Sequence, residues 1–383
     1  MSLAPWPYFA EDEKQVAQEV LESGKVNYWT GQQGRQFEKE FAEYIGADYA
    51  IAVANGTLAL ELCLIALNIG PGDEVIVTSR TFLASASAIV MRGATPVFAD
   101  VDLDSQNITV DTIKQVITPK TKAIITVHLA GWPCDMPAIM SLAQEHGIKV
   151  IEDCAQSHGA TIDGQQTGSF GDMAAFSFCQ DKIMTTGGEG GMVTTNNKAL
   201  WEKAWSYKDH GKSYDTVYNK QHPAGFRWLH ESFGTNWRLS EMQSAIGRKQ
   251  LLKLEGWIAK RNVLANLYTN FFSQYNFLRT PTAPKNIRHA YYKYYMFVDP
   301  AKLPDGWTRD MVIDKINEAG IPCMQGSCSE IYKEKCFDGT GFRPKQDLPQ
   351  AKQLGANSIL LLVHPTIDEA DLERRLQVLK DVL

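Results

Sequence analysis

The sequence SFCQDKIMTTGGEGG, residues 177–191, places one lysine, Lys182, in a polar loop between two apolar runs. The run before it, residues 173–178, is continuously apolar and has the length of a buried strand. Met192-Val193 begins the next apolar run, and four glycines surround Glu189 between the two runs. Lys182 is therefore predicted to lie in a loop that joins two buried strands.

A lysine in such a loop has two interpretations. An ammonium group loses much of its solvation when it is taken from water, and a lysine amine that becomes neutral is a nucleophile toward carbonyl groups. We therefore hypothesise that Lys182 forms a Schiff base with pyridoxal 5′-phosphate (PLP). The alternative is an ordinary loop lysine that points to water, and the loop by itself is compatible with both.

Composition and charge narrow the class of protein. The chain has 383 residues, which suggests two or three domains, or one large α/β domain with a smaller one attached. Its 44% hydrophobic and 21% charged residues are typical of a soluble globular protein. The net charge of −6 and the lack of a polybasic run disfavour nucleic acid and membrane surfaces as partners. No apolar stretch approaches the ~20 residues that span a bilayer. We see no signal peptide and expect a cytoplasmic protein.

The seven cysteines are scattered and form no CxxC pair. Their spacing matches no zinc pattern, so we predict reduced thiols and no metal site.

Helix and strand patterns alternate from about residue 41 to residue 153 with short connections. This order predicts a parallel sheet with helices on both faces, in which ligands bind beyond the carboxyl ends of the strands. Asn55, Phe82, His128 and Asp153 each follow a predicted strand. These side chains are expected to lie near one edge of the sheet.

Two of these strand ends have a specific chemical interpretation. Asn55-Gly56-Thr57 joins a strand to a helix, and free N–H groups at a helix N-terminus bind phosphate. Asp153, at the last of these strand ends, would hold the ring N–H of PLP and keep the cofactor electron-withdrawing. Gln156 and His158 follow closely and are candidates for the same pocket. A plain helix N-cap and a structural carboxylate are the alternatives.

The remainder of the chain suggests a second, smaller unit. Residues 209–234 form a polar, aromatic excursion, and residues 240–275 carry a long helical pattern, continuous or broken, whose Ser240 and Gln243 have capping-box spacing. An aromatic strand, a helix, a loop region, a further strand and a helix from Glu369 to Val382 follow. We predict three parts: an N-terminal helix in residues 1–25 that packs with the small domain, a large PLP-binding α/β domain in residues 26–245, and a linking helix with the small C-terminal α/β domain in residues 246–383.

With these motifs in place, nearly the whole chain resembles the DegT/DnrJ/EryC1/StrS family of PLP-dependent sugar aminotransferases, which have the fold-type I (aspartate aminotransferase-like) architecture. The matching residues are Asn55-Gly56-Thr57 with Ala59-Leu60, Gly70-Pro71-Gly72-Asp73-Glu74-Val75, Thr81-Phe82, Pro96-Val97-Phe98, Val127-His128-Leu129, Asp135-Met136, Ile151-Glu152-Asp153-Cys154-Ala155-Gln156-Ser157-His158-Gly159, Gly168-Ser169-Phe170-Gly171-Asp172, Phe176-Ser177-Phe178, Lys182, Gly188-Glu189-Gly190-Gly191, and Asn236-Trp237-Arg238 with Ala245-Ile246-Gly247.

The resemblance implies a role for each of eight residues. Lys182 would form the Schiff base, Asp153 would face the pyridine nitrogen, Gln156 the phenolic oxygen, and Phe82 would stack on the ring. The phosphate would be bound by Gly56, Thr57 and Ser177, and by Asn236 from the other subunit, because the family is usually dimeric with shared sites. Some family members that dehydrate sugars have histidine in place of Lys182, so the lysine favours amino transfer.

The implied reaction moves an amino group from an amino acid, by resemblance L-glutamate, to a keto-sugar with ping-pong kinetics. A nucleotide-linked 4-keto-6-deoxyhexose is favoured, with a 3-keto-sugar next, for amino-sugar and surface polysaccharide biosynthesis. Two other functions are compatible with the motifs: a PLP-dependent sugar dehydratase, and a regulator that binds PLP or a sugar nucleotide without turnover. The sequence does not identify the sugar or its carrier nucleotide.

Overall fold

The computed structural model describes residues 3–381 and residue 383. The helices in this part of the chain are α1 Glu11–Ser23, α2 Gln33–Ile45, α3 Gly56–Ala66, α4 Ala84–Met91, α5 Val110–Lys114, α6 Met136–His146, α7 Lys198–Lys208, α8 Tyr214–Tyr218, α9 Glu241–Leu251, α10 Leu254–Phe272, α11 Arg309–Glu318, α12 Pro349–Asn357 and α13 Glu369–Lys380. The strands are β1 Tyr49–Val53, β2 Glu74–Thr78, β3 Thr95–Ala99, β4 Thr121–Val127, β5 Lys149–Asp153, β6 Thr161–Ile162, β7 Gln165–Gln166, β8 Met173–Ser177, β9 Gly191–Thr195, β10 Leu278–Arg279, β11 Ile287–Arg288, β12 Tyr294–Val298, β13 Cys323–Met324 and β14 Ser358–Leu361. Val382, the predicted end of the last helix, lies outside the described residues.

The main sheet has seven strands in the order β1-β9-β8-β5-β4-β2-β3. The pairs β2–β3, β2–β4, β4–β5 and β5–β8 are parallel, whereas β9 runs antiparallel to both of its neighbours, β1 and β8. The predicted α/β fold with a mostly parallel sheet is confirmed. The reversal of β9 was not predicted, and it has a simple cause: the short loop of residues 178–190 returns the chain beside β8 without a crossover helix.

Register brings the carboxyl ends of the central strands together. Val127 of β4 pairs with Asp153 of β5, and Asp153 pairs with Ala175 of β8. These strands are buried along almost their whole length, as expected for a sheet covered on both faces. The residues after them therefore open onto one edge of the sheet.

A second, four-stranded antiparallel sheet has the order β10-β12-β14-β13. Apolar residues of α10, α11 and α13 pack with it in a separate core that includes Leu264, Met296, Val312, Ile359 and Leu376. A three-stranded sheet pairs β11, from the second part of the chain, with β6 and β7, from the first. The three residue ranges proposed for the domains stay a prediction.

The long helical pattern of residues 240–275 is two helices, α9 and α10, separated at Leu252-Lys253. The side chain of Ser240 accepts from the N–H of Gln243 at 3.3 Å, and the predicted capping box at the start of α9 is present. Lys253, at the break, pairs with Asp12 and Glu13 of α1 at 2.7 and 2.9 Å. The N-terminal helix is thus fixed to the junction of the two long helices.

No helix among the described residues is both long enough and apolar enough to cross a bilayer.

Candidate active site

A cavity of about 770 Å³ opens at the carboxyl edge of the main sheet. Seven of the eight predicted site residues line it: Gly56, Thr57, Phe82, Asp153, Gln156, Ser177 and Lys182. One wall comes from the second part of the chain and includes Tyr292, Lys293 and Ser327. The cavity therefore lies where ligands bind in parallel α/β sheets.

The N-terminus of α3 forms one end of the cavity. Asn55 caps this helix, since its side chain accepts from the N–H of Leu58 at 3.0 Å. A Cβ atom at Gly56 would lie 2.6 Å from the Cβ of Ser177, so only glycine lets the helix come this close to β8. The first-turn N–H groups of α3 and the Ser177 hydroxyl together make a site suited to a phosphate group.

Asp153 is a buried carboxylate at the end of β5. Its Oδ2 accepts from the Ser85 hydroxyl at 2.8 Å, and its Oδ1 accepts from the N–H of Ala155 at 3.1 Å. Burial raises the pKa of Asp153, although these hydrogen bonds and the charge of Lys182 oppose the rise. A buried carboxylate without a directly bonded cation is suited to a ligand that brings an N–H⁺ group.

Gln156 is oriented by the backbone. Its Oε1 accepts from the N–H of Ala130 at 2.7 Å, so its amide NH₂ is left as the donor. Phe82 also lines the cavity, and 72% of its surface is exposed. An amide donor and a wide aromatic face are groups that a flat ring with an oxygen substituent needs.

Lys182 lies in the loop between β8 and β9, with its N–H bonded to the carbonyl of Cys179 at 3.1 Å. Its Nζ is 3.7 Å from Asp181 and 5.0 Å from the ring centroid of Tyr292. The Trp6 indole donates to the Lys182 carbonyl at 2.9 Å, which holds the backbone of this residue in place. The reactive amine is thereby held within the cavity.

The glycine-rich end of this loop is also fixed. Thr186 donates to the carbonyl of Glu189 at 2.6 Å, and Gln243 of α9 donates to the same carbonyl at 2.8 Å. A Cβ at Gly191 would lie 2.4 Å from the carbonyl oxygen of Asn55. Gly191 therefore lets the start of β9 pack directly against the start of α3. The sequence motif did not predict this contact.

Sequence reasoning did not identify Ser85, Asp181, Tyr292 and Lys293, which also line the cavity. Ser85 is 68 positions from its partner Asp153, and Tyr292 donates to Asp181 across 111 positions. The Lys182 ammonium and the Tyr292 hydroxyl hold the pKa of Asp181 below its usual range, although partial burial opposes this. Only a lysine inside an aromatic strand pattern, Lys293, gave a signal in the sequence.

Three other predicted candidates lie elsewhere. Asn236 is exposed and pairs in an isolated bridge with Asp209, away from the cavity of its own chain. His128 is buried, with Nε2 3.0 Å from Glu152, and has a structural contact instead of a ligand site. His158 is buried against the rings of Phe176 and Phe178 rather than lining the cavity.

The side chains that meet in the cavity fit PLP: a phosphate cradle, an aromatic face, an amide donor, a buried carboxylate and a lysine. Fold and site together define a PLP-dependent aminotransferase. The family model for the DegT/DnrJ/EryC1/StrS aminotransferases matches residues 7–380, and the chain belongs to this family.

Relatives with solved structures and curated names agree with this assignment. An aminotransferase from Psychrobacter cryohalolentis superposes with a TM-score of 0.98 at 54% identity, over 99% of this chain and 98% of that one. The UDP-N-acetyl-3-dehydro-alpha-D-glucosamine 3-aminotransferase of Acidithiobacillus ferrooxidans is 38% identical over 94% of this chain and 90% of its own. The GDP-perosamine synthase of Caulobacter vibrioides is 37% identical over 93% and 92%. The first of these is named an aminotransferase, and the second is named as an aminotransferase of a nucleotide-linked sugar.

Proposed function

We propose that this protein transfers the amino group of L-glutamate to a nucleotide-linked keto-sugar, in the biosynthesis of amino sugars and surface polysaccharide. The observation that carries the proposal is the meeting of Lys182, Asp153 and the first turn of α3 in one cavity. A 4-keto-6-deoxyhexose is the favoured acceptor and a 3-keto-sugar the alternative. One relative's name specifies a 3-dehydro sugar linked to UDP, which supports the 3-keto alternative, and another specifies GDP, so the carrier nucleotide differs among the relatives.

Each residue has a defined task in this proposal. Bound PLP supplies an aldehyde and a protonated ring that withdraws electrons from the bond being broken. Gly56, Thr57 and Ser177 bind its phosphate, Phe82 covers the ring, and Gln156 donates to the ring oxygen. Asp153 accepts the ring N–H and keeps that proton in place.

Lys182 has two tasks. Its Nζ would hold the aldehyde carbon of the cofactor, and its amine would take a proton from the donor Cα and deliver it to that former aldehyde carbon. Asp181 lies 3.7 Å from Nζ and Tyr292 lies beside both, so this amine has neighbours that limit where it moves. The keto-sugar uses the same groups in the reverse direction.

We further propose a homodimer with shared sites. In a single chain Asn236 is exposed and does not line its own cavity. The excursion of residues 209–234, just before Asn236 in the sequence, exposes Phe226, Trp228 and Phe233, which are 81%, 86% and 99% exposed in one chain. Large exposed aromatic side chains of this kind are typical of an association surface.

The test is the visible absorbance of the purified protein with PLP, before and after glutamate. Wild type should be coloured and should lose the visible band with glutamate, whereas Lys182→Ala should show no glutamate-dependent change. Lys198→Ala is the control, since this lysine of α7 is 69% exposed and outside the cavity. Wild type that stays colourless with added PLP would overturn the role of Lys182.

The acceptor is found in the second half of the reaction. Protein treated with glutamate and freed of it is mixed with UDP-, GDP- or dTDP-linked 4-keto- and 3-keto-sugars in turn. Return of the visible band, with the amino sugar detected by mass spectrometry, identifies the acceptor. Return with none of these sugars would contradict the proposed substrate class while leaving the donor half intact.

A further inference from the structure

Lys293 is a second lysine in the active-site cavity. Among the described residues, it and Lys182 are the basic side chains that line the cavity. Its Nζ lies 4.7 Å from the ring centroid of Tyr292, the ring that Lys182 Nζ approaches at 5.0 Å. The amines of Lys182 and Lys293 therefore both lie near the ring of Tyr292.

The backbone that carries Lys293 is held firmly. Tyr291 adopts φ 45°, in the left-handed region that a bulky residue avoids, and this residue immediately precedes the two that enter the cavity. Arg261 donates to the carbonyls of Tyr291 and Tyr292 at 3.1 and 3.3 Å. The N–H of Tyr292 donates to Ala130 at 2.8 Å. These hydrogen bonds hold the backbone of Tyr291 and Tyr292 in a strained conformation, and this fixes the position of Lys293, the next residue.

The charge of Lys293 is incompletely balanced in the described part of the chain. It forms a ring contact with Tyr292 but no ion pair with a described carboxylate, and the nearby Asp181 already contacts Lys182 and Tyr292. Burial lowers the pKa of Lys293 to about 8; Asp181 opposes the shift, and the charges of Arg261 and Lys182 add to it. A partly buried cation of this kind is stabilised by an anion that enters the cavity.

We propose that Lys293 binds the carboxylate of the amino donor, on the carbon that carries the amino group. This rests on the proposed use of an amino-acid donor. That carboxylate must lie close to the carbon from which Lys182 takes a proton, and Lys293 is the other basic group of the cavity, in contact with the same Tyr292 ring. A charge-assisted hydrogen bond between ammonium and carboxylate fixes the donor for this proton transfer.

The first test measures the donor half-reaction alone, by the glutamate-dependent change in visible absorbance. Lys293→Met keeps an unbranched side chain, shorter only by the terminal amine, and removes the charge. The glutamate concentration for half-maximal rate should rise roughly 10- to 100-fold, and Lys293→Arg should recover much of this loss. Lys198→Met is the matched control. An unchanged glutamate requirement in Lys293→Met overturns the proposal. A variant that uses glutamate normally but no longer reacts with the nucleotide-linked keto-sugar overturns it as well.

The second test does not depend on turnover. The protein with PLP is treated briefly with an acetylating reagent, with and without glutarate, a dicarboxylate that lacks an amino group, and lysine acetylation is read by mass spectrometry. Glutarate should slow acetylation of Lys293 and leave Lys39, 77% exposed, unaffected. Equal acetylation of Lys293 in both samples overturns the proposal. If wild type shows no absorbance change with glutamate, the proposed donor is wrong, and this labelling result still decides the role of Lys293.

Discussion

At the scale of single residues, Asp153 shows how the fold prepares a charged group for a ligand. It is buried, its two oxygens accept from Ser85 and Ala155, and burial raises its pKa. Both partners are neutral, so neither forms an ion pair with the carboxyl group. The hydrogen bonds orient the group without neutralising it.

This arrangement predicts different costs for two substitutions. Asp153→Asn should slow the glutamate half-reaction by roughly 10²–10³-fold, the scale of losing one preorganised electrostatic contact. Ser85→Ala should raise the activation free energy of the same half-reaction by only about 1 kcal/mol, since it removes one hydrogen bond and leaves the carboxyl group. Stopped-flow absorbance measures both rates. Equal rates in the two variants would show that orientation, rather than charge, is what Asp153 contributes.

At the scale of elements, the approach of α3 to β8 depends on one missing methyl group. A Cβ at Gly56 would lie 2.6 Å from that of Ser177 and 3.1 Å from its Cα, so the backbone would have to move. The helix N-terminus and the serine hydroxyl would separate, and both are expected to hold the phosphate. Packing and cofactor binding thus depend on the same contact.

Gly56→Ala should therefore destabilise the protein by about 1–3 kcal/mol and weaken PLP binding. Gly256→Ala is the matched control, because this exposed glycine of α10 has no atom within 4 Å of its added Cβ. That change should be neutral or stabilising by up to about 1 kcal/mol. Urea unfolding and PLP titration measure the effects. A Gly56→Ala protein with wild-type stability and PLP affinity would contradict the close-packed cradle.

At the scale of the whole molecule, the proposed shared site predicts complementation between subunits. Lys182→Ala and Asn236→Ala should each be strongly impaired, because one lacks the amine and the other the partner's contact to the phosphate. A mixture refolded together should recover up to about a quarter of wild-type activity, since half of the dimers then hold one intact site of two. Co-refolding followed by the aminotransferase assay measures this.

Two controls accompany the complementation. The variants mixed without unfolding should stay inactive if subunits exchange slowly, and analytical ultracentrifugation should give a dimer for each variant. Sites built from one chain alone would give no recovery in the refolded mixture.

The amino-acid sequence by itself determined the local features of this protein. The alternation of strands and helices gave the α/β class, and Gly56, Asp153 and Lys182 were identified because each follows a strand. Carboxyl ends of parallel strands share one edge of a sheet, so position along the chain is enough to predict that these groups meet.

The tertiary structure alone decided the contacts between distant parts of the chain. The contact of Ser85 with Asp153 depends on the strand order of the main sheet, and the direction of β9 depends on the short loop that precedes it. The contacts of Tyr292 with Asp181 and of Lys293 with the Tyr292 ring depend on how the second part of the chain packs against the first. Local hydrophobic periodicity reports which face of an element is buried, not which distant element covers it. The residues that complete the site were for that reason visible only once the chain was folded.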